Sequence, residues 1–281
     1  MMKIPKKEID MEKTLFSGQP LHFVFNEIDR GYIGYLKDGK KYSPIMIKEE
    51  DKNYIIKSEL PQTKIKEYFG LKEDLNRVYQ KIETDNYIKK AIKNYRGLRI
   101  TKTDPLLSIV VFIVSSNNNL RNIRSFLTNL SREYGRKITV SGEKIQTPPR
   151  DKKLFNLTKE DFKKCKAGYR SKYLEKSLNM ISTGEVDLDK IQDKENSLVK
   201  KELKNLYGVG EKVSECISLF SYKNLDAFPI DTNIRDIMKK RYLDQKEPKE
   251  ISDNEIRELA KKKWKNYAGY AQQYLYKEAI S

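Results

Sequence analysis

The feature that most constrains this chain is a pair of helical patterns separated by two glycines. Leu203 and Leu206 end the first pattern, Gly208-Val209-Gly210 interrupts it, and apolar residues resume at helical spacing from Val213. Because glycine adopts the backbone angles of a tight bend, the pattern predicts two helices joined by a hairpin. The first N–H groups of the second helix would face a phosphate, with the positive end of the helix dipole behind them. We expect a helix-hairpin-helix that binds a nucleic-acid backbone through Gly208 and Gly210.

Lys212 and Asp231 are the candidate catalytic residues. Lys212 falls in the first turn of the predicted second helix, where the dipole disfavours an added positive charge and favours a neutral, nucleophilic amine. Asp231 follows an apolar segment and precedes another helical pattern, so it is also a candidate helix N-cap. Taken singly, the lysine is a solvated charge and the aspartate a cap. Together, at this spacing, they indicate a catalytic pair.

The run G-V-G-x-K-V-x-x-C-I at Gly208 to Ile217 and the P-I-D of Pro229 to Asp231 resemble a known signature. It is that of the helix-hairpin-helix DNA glycosylases, and among them the chain is most similar to the 8-oxoguanine DNA glycosylases. The resemblance implies a DNA glycosylase with AP lyase activity that flips 8-oxoguanine out of double-stranded DNA. It also implies that Lys212 forms a Schiff base with the sugar, assisted by Asp231, and that β-elimination then cleaves the strand.

Three further segments resemble the same family. Phe16 to Gln19 resembles its S-G-Q turn, which implies that the Gly18 carbonyl accepts the N7–H that distinguishes 8-oxoguanine from guanine. The S-S-N-N-N run implies that Asn117 enters the gap left by the extruded base, although such a run is also an ordinary turn and helix cap. The G-Y-R segment implies that Tyr169 wedges beside the estranged base and that Arg170 approaches it.

The C-terminal segment of residues 267–272 is similar to the family's Y-A-G-W-A-Q. Gln272 and Tyr276 are four residues apart and therefore share a helix face, as do Lys212 and Cys216, so the two faces could form a slot. The resemblance implies that Cys216 and Tyr276 sandwich the flipped purine while Gln272 reads its Watson–Crick edge. We expect most of the other aromatic residues here to be core.

The chain departs from the family at two positions. Asn122 stands where eukaryotic members have an arginine that helps to read the cytosine opposite the lesion, and Asn233 stands where they have a histidine. The first difference predicts weaker selectivity for the opposite base.

Composition agrees with a nucleic-acid partner. The 281 residues include 57 Lys and Arg against 40 Asp and Glu, a net charge of +17, which favours a polyanion, although a basic surface alone specifies no partner. Only Cys165 and Cys216 are present, so we expect neither disulfides nor a four-cysteine iron-sulfur cluster, and no metal or cofactor. The N-terminus is charged and the longest apolar run, residues 106–114, is too short for a span. We therefore expect a monomer in the cytoplasm, associated with the nucleoid and not with a membrane.

The fold class predicted is α+β. Short alternating runs at residues 21–25, 32–36, 42–47 and 54–56 predict an antiparallel sheet, and helical patterns follow residue 61. We divide the chain into an N-terminal antiparallel β-sheet domain, residues 1–95, and a helical helix-hairpin-helix glycosylase domain in two lobes, residues 96–281. His22 should lie on a strand without a catalytic role, and residues 140–153 should be a surface loop.

Two other functions remain open from the residues alone. A monofunctional glycosylase for another lesion would keep Asp231 without needing Lys212. A non-catalytic helix-hairpin-helix module that binds DNA would need neither.

Overall fold

The structure, a computed structural model, describes residues 1–19, 21–26, 31–39, 41–140, 142–192, 194–243 and 251–280. It consists of an N-terminal antiparallel sheet followed by a mostly helical remainder, which confirms the predicted α+β class. None of the helices in these ranges has the length and apolarity of a membrane span.

The strands of the N-terminal sheet are β1 Met2–Pro5, β2 Val24–Asn26, β3 Gly31–Asp38, β4 Lys41–Glu49 and β5 Asn53–Ser58. They lie in the order β1-β5-β4-β3-β2, and every neighbouring pair is antiparallel. The central strands are buried on both faces, because one face packs on the first helix, Met11–Leu15, and the other carries Ile33 and Met46 against Ile145.

The helices surround one large apolar core that includes the whole buried length of α5. They are α1 Met11–Leu15, α2 Gln62–Tyr68, α3 Leu75–Ile82, α4 Asn86–Asn94, α5 Pro105–Ser115, α6 Leu120–Tyr134, α7 Asp151–Phe155, α8 Lys159–Lys164, α9 Ser171–Ser182, α10 Leu188–Gln192, α11 Asn196–Leu203, α12 Glu211–Tyr222, α13 Thr232–Met238, α14 Asp253–Trp264 and α15 Ala268–Ile280. Single turns of 3₁₀-helix occupy Gly168–Arg170 and Lys265–Tyr267, and Lys239–Leu243 is a π-helical turn.

Local sequence fixes where the helices of the site begin. Asp104 caps α5 by accepting from the Leu107 N–H, and Pro105 occupies the first helical position, where its missing N–H costs nothing. Asn119 caps α6 in the same way. The turn of residues 115–119 therefore connects two well-defined helices, as predicted.

The prediction of a surface loop at residues 140–153 is wrong. Strand β6, Arg136–Val140, pairs with strand β7, Glu143–Thr147, in a separate two-stranded sheet, and α7 follows. The apolar residues of this hairpin are few, and Ile145 is partly buried because it meets Ile33 and Met46 of the distant N-terminal sheet and also packs against the helical core. Burial against a remote partner of this kind leaves no periodic signal in the local sequence.

His22 precedes β2 and does not lie on a strand as predicted. Its Nε2 is 3.1 Å from the hydroxyl of Tyr68, and its ring stacks on Tyr35 with 4.9 Å between ring centroids. Desolvation lowers the pKa of His22 to about 3, so the ring is neutral at physiological pH. A neutral histidine held among aromatic rings fits the structural role that was predicted for it.

Helices α3 and α4 pack against α15 and share its apolar core. The N-terminal sheet has its own cluster with α1 and α2. The proposed boundary between residues 95 and 96 stays a prediction.

Candidate active site at the helix-hairpin-helix

A cavity of about 1030 Å³ lies where the start of α12 meets the α5–α6 turn, the start of α13, the inner face of α15 and the Ser17-Gly18 turn. The structure thus brings together segments that are distant in the chain. Eight of the predicted site residues line this cavity: Gly18, Asn117, Gly210, Lys212, Cys216, Asp231, Gln272 and Tyr276. The other three, Tyr169, Arg170 and Gly208, lie outside its wall.

The two hairpin glycines serve different purposes. Gly208 has φ +77°, and a Cβ there would lie 2.9 Å from the Cβ of Tyr173, so both its backbone angle and its packing require glycine. Gly210 is the N-cap of α12, has no atom within 4 Å of the position of a Cβ, and provides no side-chain cap. The first N–H groups of α12 are therefore open to an anion beside Gly210.

Lys212 is held in the cavity by Ser115. Its Nζ donates to Ser115 Oγ at 2.9 Å, and Ser115 Oγ in turn donates to the carbonyl of Phe112 at 2.7 Å. Because the serine proton is used by that carbonyl, a serine lone pair faces Lys212 and fixes one of its N–H groups. Ser115 is the last residue of α5, and in the sequence it carries no signal beyond its place in the polar S-S-N-N-N run.

Asp231 caps α13, as predicted, and its Oδ1 accepts from the N–H of Ile234 at 2.9 Å. Its negative charge affects the pKa of Cys216 and of Tyr276, the two residues that are predicted to sandwich the base. Burial, opposed by Lys212 and reinforced by Asp231, raises the pKa of the Cys216 thiol to about 11. Burial, with Asp231 and Cys216, raises the pKa of Tyr276 to about 12. Both side chains are therefore neutral, and they give the slot uncharged walls.

Gln272 projects into the cavity with an unused acceptor. The residue is buried at 6% exposure, and its Oε1 has no hydrogen-bond partner in the described part of the chain. Leaving a buried oxygen unpaired costs on the order of 1–3 kcal/mol. Such an atom marks a place where a ligand's N–H group would be accepted.

Gly18 lines the cavity directly beside the ring of Tyr276. Its φ is +87°, and a Cβ would lie 3.0 Å from Cε1 of Tyr276. A side chain at position 18 would therefore strain the backbone and press on Tyr276. Glycine is required at the point where the backbone enters the cavity.

Asn117, Tyr169 and Arg170 form a connected group at the edge of the cavity. Arg170 is 8% exposed, and its guanidinium donates to the carbonyls of Ser116 and Asn117, the second at 2.8 Å. It also lies 4.4 Å from the ring centroid of Tyr169, which is 53% exposed. The arginine thus holds the turn at Asn117, whose φ is +48°, and its Nε and Nη2 donors are engaged by this turn.

Comparison with known proteins agrees with this geometry. Residues 1–108 match the family described as "8-oxoguanine DNA glycosylase, N-terminal domain". A "Probable N-glycosylase/DNA lyase" of Methanothermobacter thermautotrophicus is 25% identical over 99% of this chain and 96% of its own length. The "N-glycosylase/DNA lyase" of Saccharomyces cerevisiae is also 25% identical, over 99% of this chain and 85% of its own.

Among solved structures, the fold is similar to the 8-oxoguanine glycosylase/lyase of Clostridium acetobutylicum in complex with double-stranded DNA that contains cytosine opposite 8-oxoguanine. The TM-score is 0.88 and the identity 28%, with 100% of this chain and 98% of that chain covered. The likeness therefore extends over both the sheet and the helical part.

Proposed function

Since the chain resembles the 8-oxoguanine DNA glycosylases of the helix-hairpin-helix superfamily over its whole length, we propose that it excises 8-oxoguanine and then cleaves the strand. The observation that carries the proposal is the placement of Lys212, Asp231 and Gln272 around one cavity beside the hairpin. These residues come from three separate helices, or their caps. Core packing does not explain this cluster, because burying a lysine, a carboxylate and an unpaired amide costs free energy.

The cavity suits a flipped purine. The cavity volume of about 1030 Å³ leaves room for a nucleoside, and Cys216 and Tyr276 supply neutral faces between which the base can stack. The free Oε1 of Gln272 supports its assignment to the Watson–Crick edge, where a purine N–H would donate to it. The Gly18 carbonyl is proposed to accept the N7–H of the lesion.

Lys212 is proposed to be the nucleophile. Its amine, in the deprotonated form, attacks C1′ of the sugar as the bond from C1′ to the base breaks, and the base leaves with the bonding electron pair and takes up the proton that Nζ loses. The bond to Ser115 supports this role because it directs one N–H away and leaves the amine lone pair free for C1′. Asp231, at the start of α13, offsets the positive charge that develops on the sugar. The C1′–O4′ bond then breaks, O4′ takes a proton from water, and the C1′=Nζ double bond of the Schiff base forms. Loss of a proton from C2′ gives a C2′=C3′ double bond as the C3′–O bond breaks, and this β-elimination expels the 3′ phosphate.

The uncapped start of α12 at Gly210 is proposed to bind a backbone phosphate, and Asn117 to fill the gap in the duplex. Tyr169 is exposed and is proposed to contact the estranged base, with Arg170 supporting the turn beside it. Gly208 acts indirectly, since it shapes the hairpin against Tyr173. We propose that the enzyme acts as a monomer in the cytoplasm, on the nucleoid.

The test is borohydride trapping on a duplex that contains a single 8-oxoguanine. We expect a covalent protein–DNA product and a nicked strand, because only a Schiff base is reduced to a stable bond. An undamaged guanine duplex serves as the control and should give neither product. Base release without trapping would show a monofunctional glycosylase, and binding without either reaction would show a non-catalytic module.

The base opposite the lesion should matter little. Asn122 stands where eukaryotic members of the family have an arginine, and its Nδ2 donates to Oδ1 of Asn118 at 3.0 Å, so its amide is engaged within the turn. A bidentate contact contributes roughly 1–3 kcal/mol of discrimination, and Asn122 lacks the forked donor that would make one. We expect single-turnover excision opposite all four bases, with rates spread by about tenfold or less. A preference for cytosine of about a hundredfold or more would show that other residues read this base.

A further inference from the structure

The Ser17-Gly18 turn, whose glycine is proposed to read the lesion, is held from two sides by buried glutamines. The nearer one, Gln19, donates to Ser17 Oγ at 2.9 Å and to the Arg99 carbonyl at 2.6 Å. Its Oε1 accepts from the N–H of Thr101 at 2.8 Å. These bonds attach the turn to the segment that leads into α5.

The second glutamine, Gln273, reaches the turn from α15. It is 2% exposed, and its Nε2 donates to the Ser17 carbonyl at 2.9 Å. The side chains of neighbouring residues on a helix point about 100° apart, so Gln272 can face the base slot while Gln273 hydrogen-bonds to the turn. The Ser17 carbonyl belongs to the peptide group on the N-terminal side of Gly18, and the bond therefore fixes the orientation of that peptide.

This bond sets the position of Gly18 relative to the residues that would hold the base. Gln272 and Tyr276 lie on the same helix as Gln273, whereas Gly18 lies in a turn of the N-terminal segment. Glycine at φ +87° has little intrinsic barrier to reorientation of the adjacent peptides, so the turn needs outside bonds to hold one conformation. Gln273 supplies such a bond directly from the helix that carries the base slot.

We propose that Gln273 is a positioning residue for lesion specificity: it holds the Gly18 carbonyl in register with the base slot. The inference rests on the proposed function, since it assigns to Gly18 the reading of 8-oxoguanine. Gln273 also lines the cavity, but its amide donates to the Ser17 carbonyl and not to Lys212 or Asp231, so we assign it a role that is exerted through the turn. Its loss should therefore damage discrimination between 8-oxoguanine and guanine far more than it damages the chemistry of Lys212.

The experiment compares Gln273→Met with Gln273→Asn. The first keeps the length of the side chain without the donor, and the second keeps the amide but is one methylene too short to reach Ser17. Tyr274→Phe is the matched control, because it removes a buried hydrogen bond from the same helix to the Leu98 carbonyl, 3.0 Å away and not in the turn. Affinities for 8-oxoguanine and guanine duplexes are measured in the non-cleaving Lys212→Gln background. Strand cleavage at an abasic site is measured without that substitution.

We expect both Gln273 variants to lose about tenfold in the ratio of the two affinities, the worth of one well-placed hydrogen bond. Cleavage at the abasic site, which offers no base to Gly18, should fall much less, and Tyr274→Phe should leave the ratio unchanged. A variant that folds and keeps the full ratio overturns the inference, as does an equal fall in abasic-site cleavage. If the protein with Gln273 intact binds both duplexes equally, the proposed reading of 8-oxoguanine fails first, and the inference falls with it.

Discussion

Replacement of Lys212 by glutamine should abolish both the borohydride-trapped product and strand cleavage while leaving DNA binding largely intact. Glutamine has no nucleophilic amine, so no Schiff base can form at C1′. The loss of one positive charge from a chain of net charge +17 should weaken duplex affinity by less than about tenfold at moderate salt. The measurements are trapping and single-turnover cleavage of an 8-oxoguanine duplex, together with the dissociation constant of the same duplex.

Lys201→Gln is the matched control for the loss of charge. Lys201 is an exposed residue of α11, the helix that precedes the hairpin, and it does not line the cavity. This variant should trap and cleave at the normal rate and should bind DNA much as the Lys212 variant does. Undiminished cleavage by Lys212→Gln would remove Lys212 from the role of nucleophile.

Much of the site was predictable because its residues also carry local structural signals. Asp231 is both a carboxylate at the cavity and the N-cap of α13, and Gly210 is both the N-cap of α12 and the opening toward a phosphate. A cap is encoded within a few residues of sequence, so the positions of these groups at helix starts follow from short-range rules. The helical spacing of Lys212 and Cys216 similarly placed both on one face.

The contacts between distant segments could not be predicted. Ser115 meets Lys212, and Gln273 meets Ser17, across 97 and 256 residues of chain. No periodicity in either segment reports the partner. No feature of the sequence singles out Gln273, and its donor can be assigned only from the structure, where it meets the Ser17 carbonyl.

Arg170 shows how a motif identifies a residue without fixing what it does. The resemblance implied that its guanidinium approaches the estranged base, whereas the structure places three donor contacts on the carbonyls of Ser116 and Asn117. A buried guanidinium stabilises a strained turn well, because its forked donors satisfy two carbonyls at once. Its role in DNA binding stays a prediction, and the structure adds support of the Asn117 backbone.

The fold was predicted where apolar runs between turns mark the strands and missed where such runs are absent. Strands β3, β4 and β5 are apolar runs of this kind, although their burial does not alternate, and the α+β class is confirmed. The short elements β1 and α1 contain too few residues to show a period, and the hairpin of β6 and β7 is mostly exposed and packs on the N-terminal sheet through the partly buried Ile145. The enzyme class, a DNA glycosylase with lyase activity, is confirmed by the relatives that the chain matches over nearly its full length.

Substitution of Asp231 should separate its two roles. Asp231→Asn keeps an oxygen that can accept from the Ile234 N–H, so α13 stays capped, but it removes the charge that stabilises the sugar cation. We expect single-turnover base excision to fall by on the order of 10²–10³, the usual loss when one electrostatic stabiliser of a transition state is removed. The free energy of unfolding should stay unchanged. Asp231→Ala should lose the same activity and also about 1 kcal/mol of stability, because the cap is gone.

Asp74 provides the matched control, since it caps α3 by accepting from the N–H of Asn76 at 2.9 Å and lies exposed, outside the cavity. Asp74→Ala should lose about 1 kcal/mol of stability, measured by urea unfolding, and keep full excision activity. This pattern would show that lost capping does not cause the lost activity at position 231. If Asp231→Asn excised 8-oxoguanine at the normal rate, the carboxylate would have no part in the chemistry, and Asp231 would be a structural cap alone.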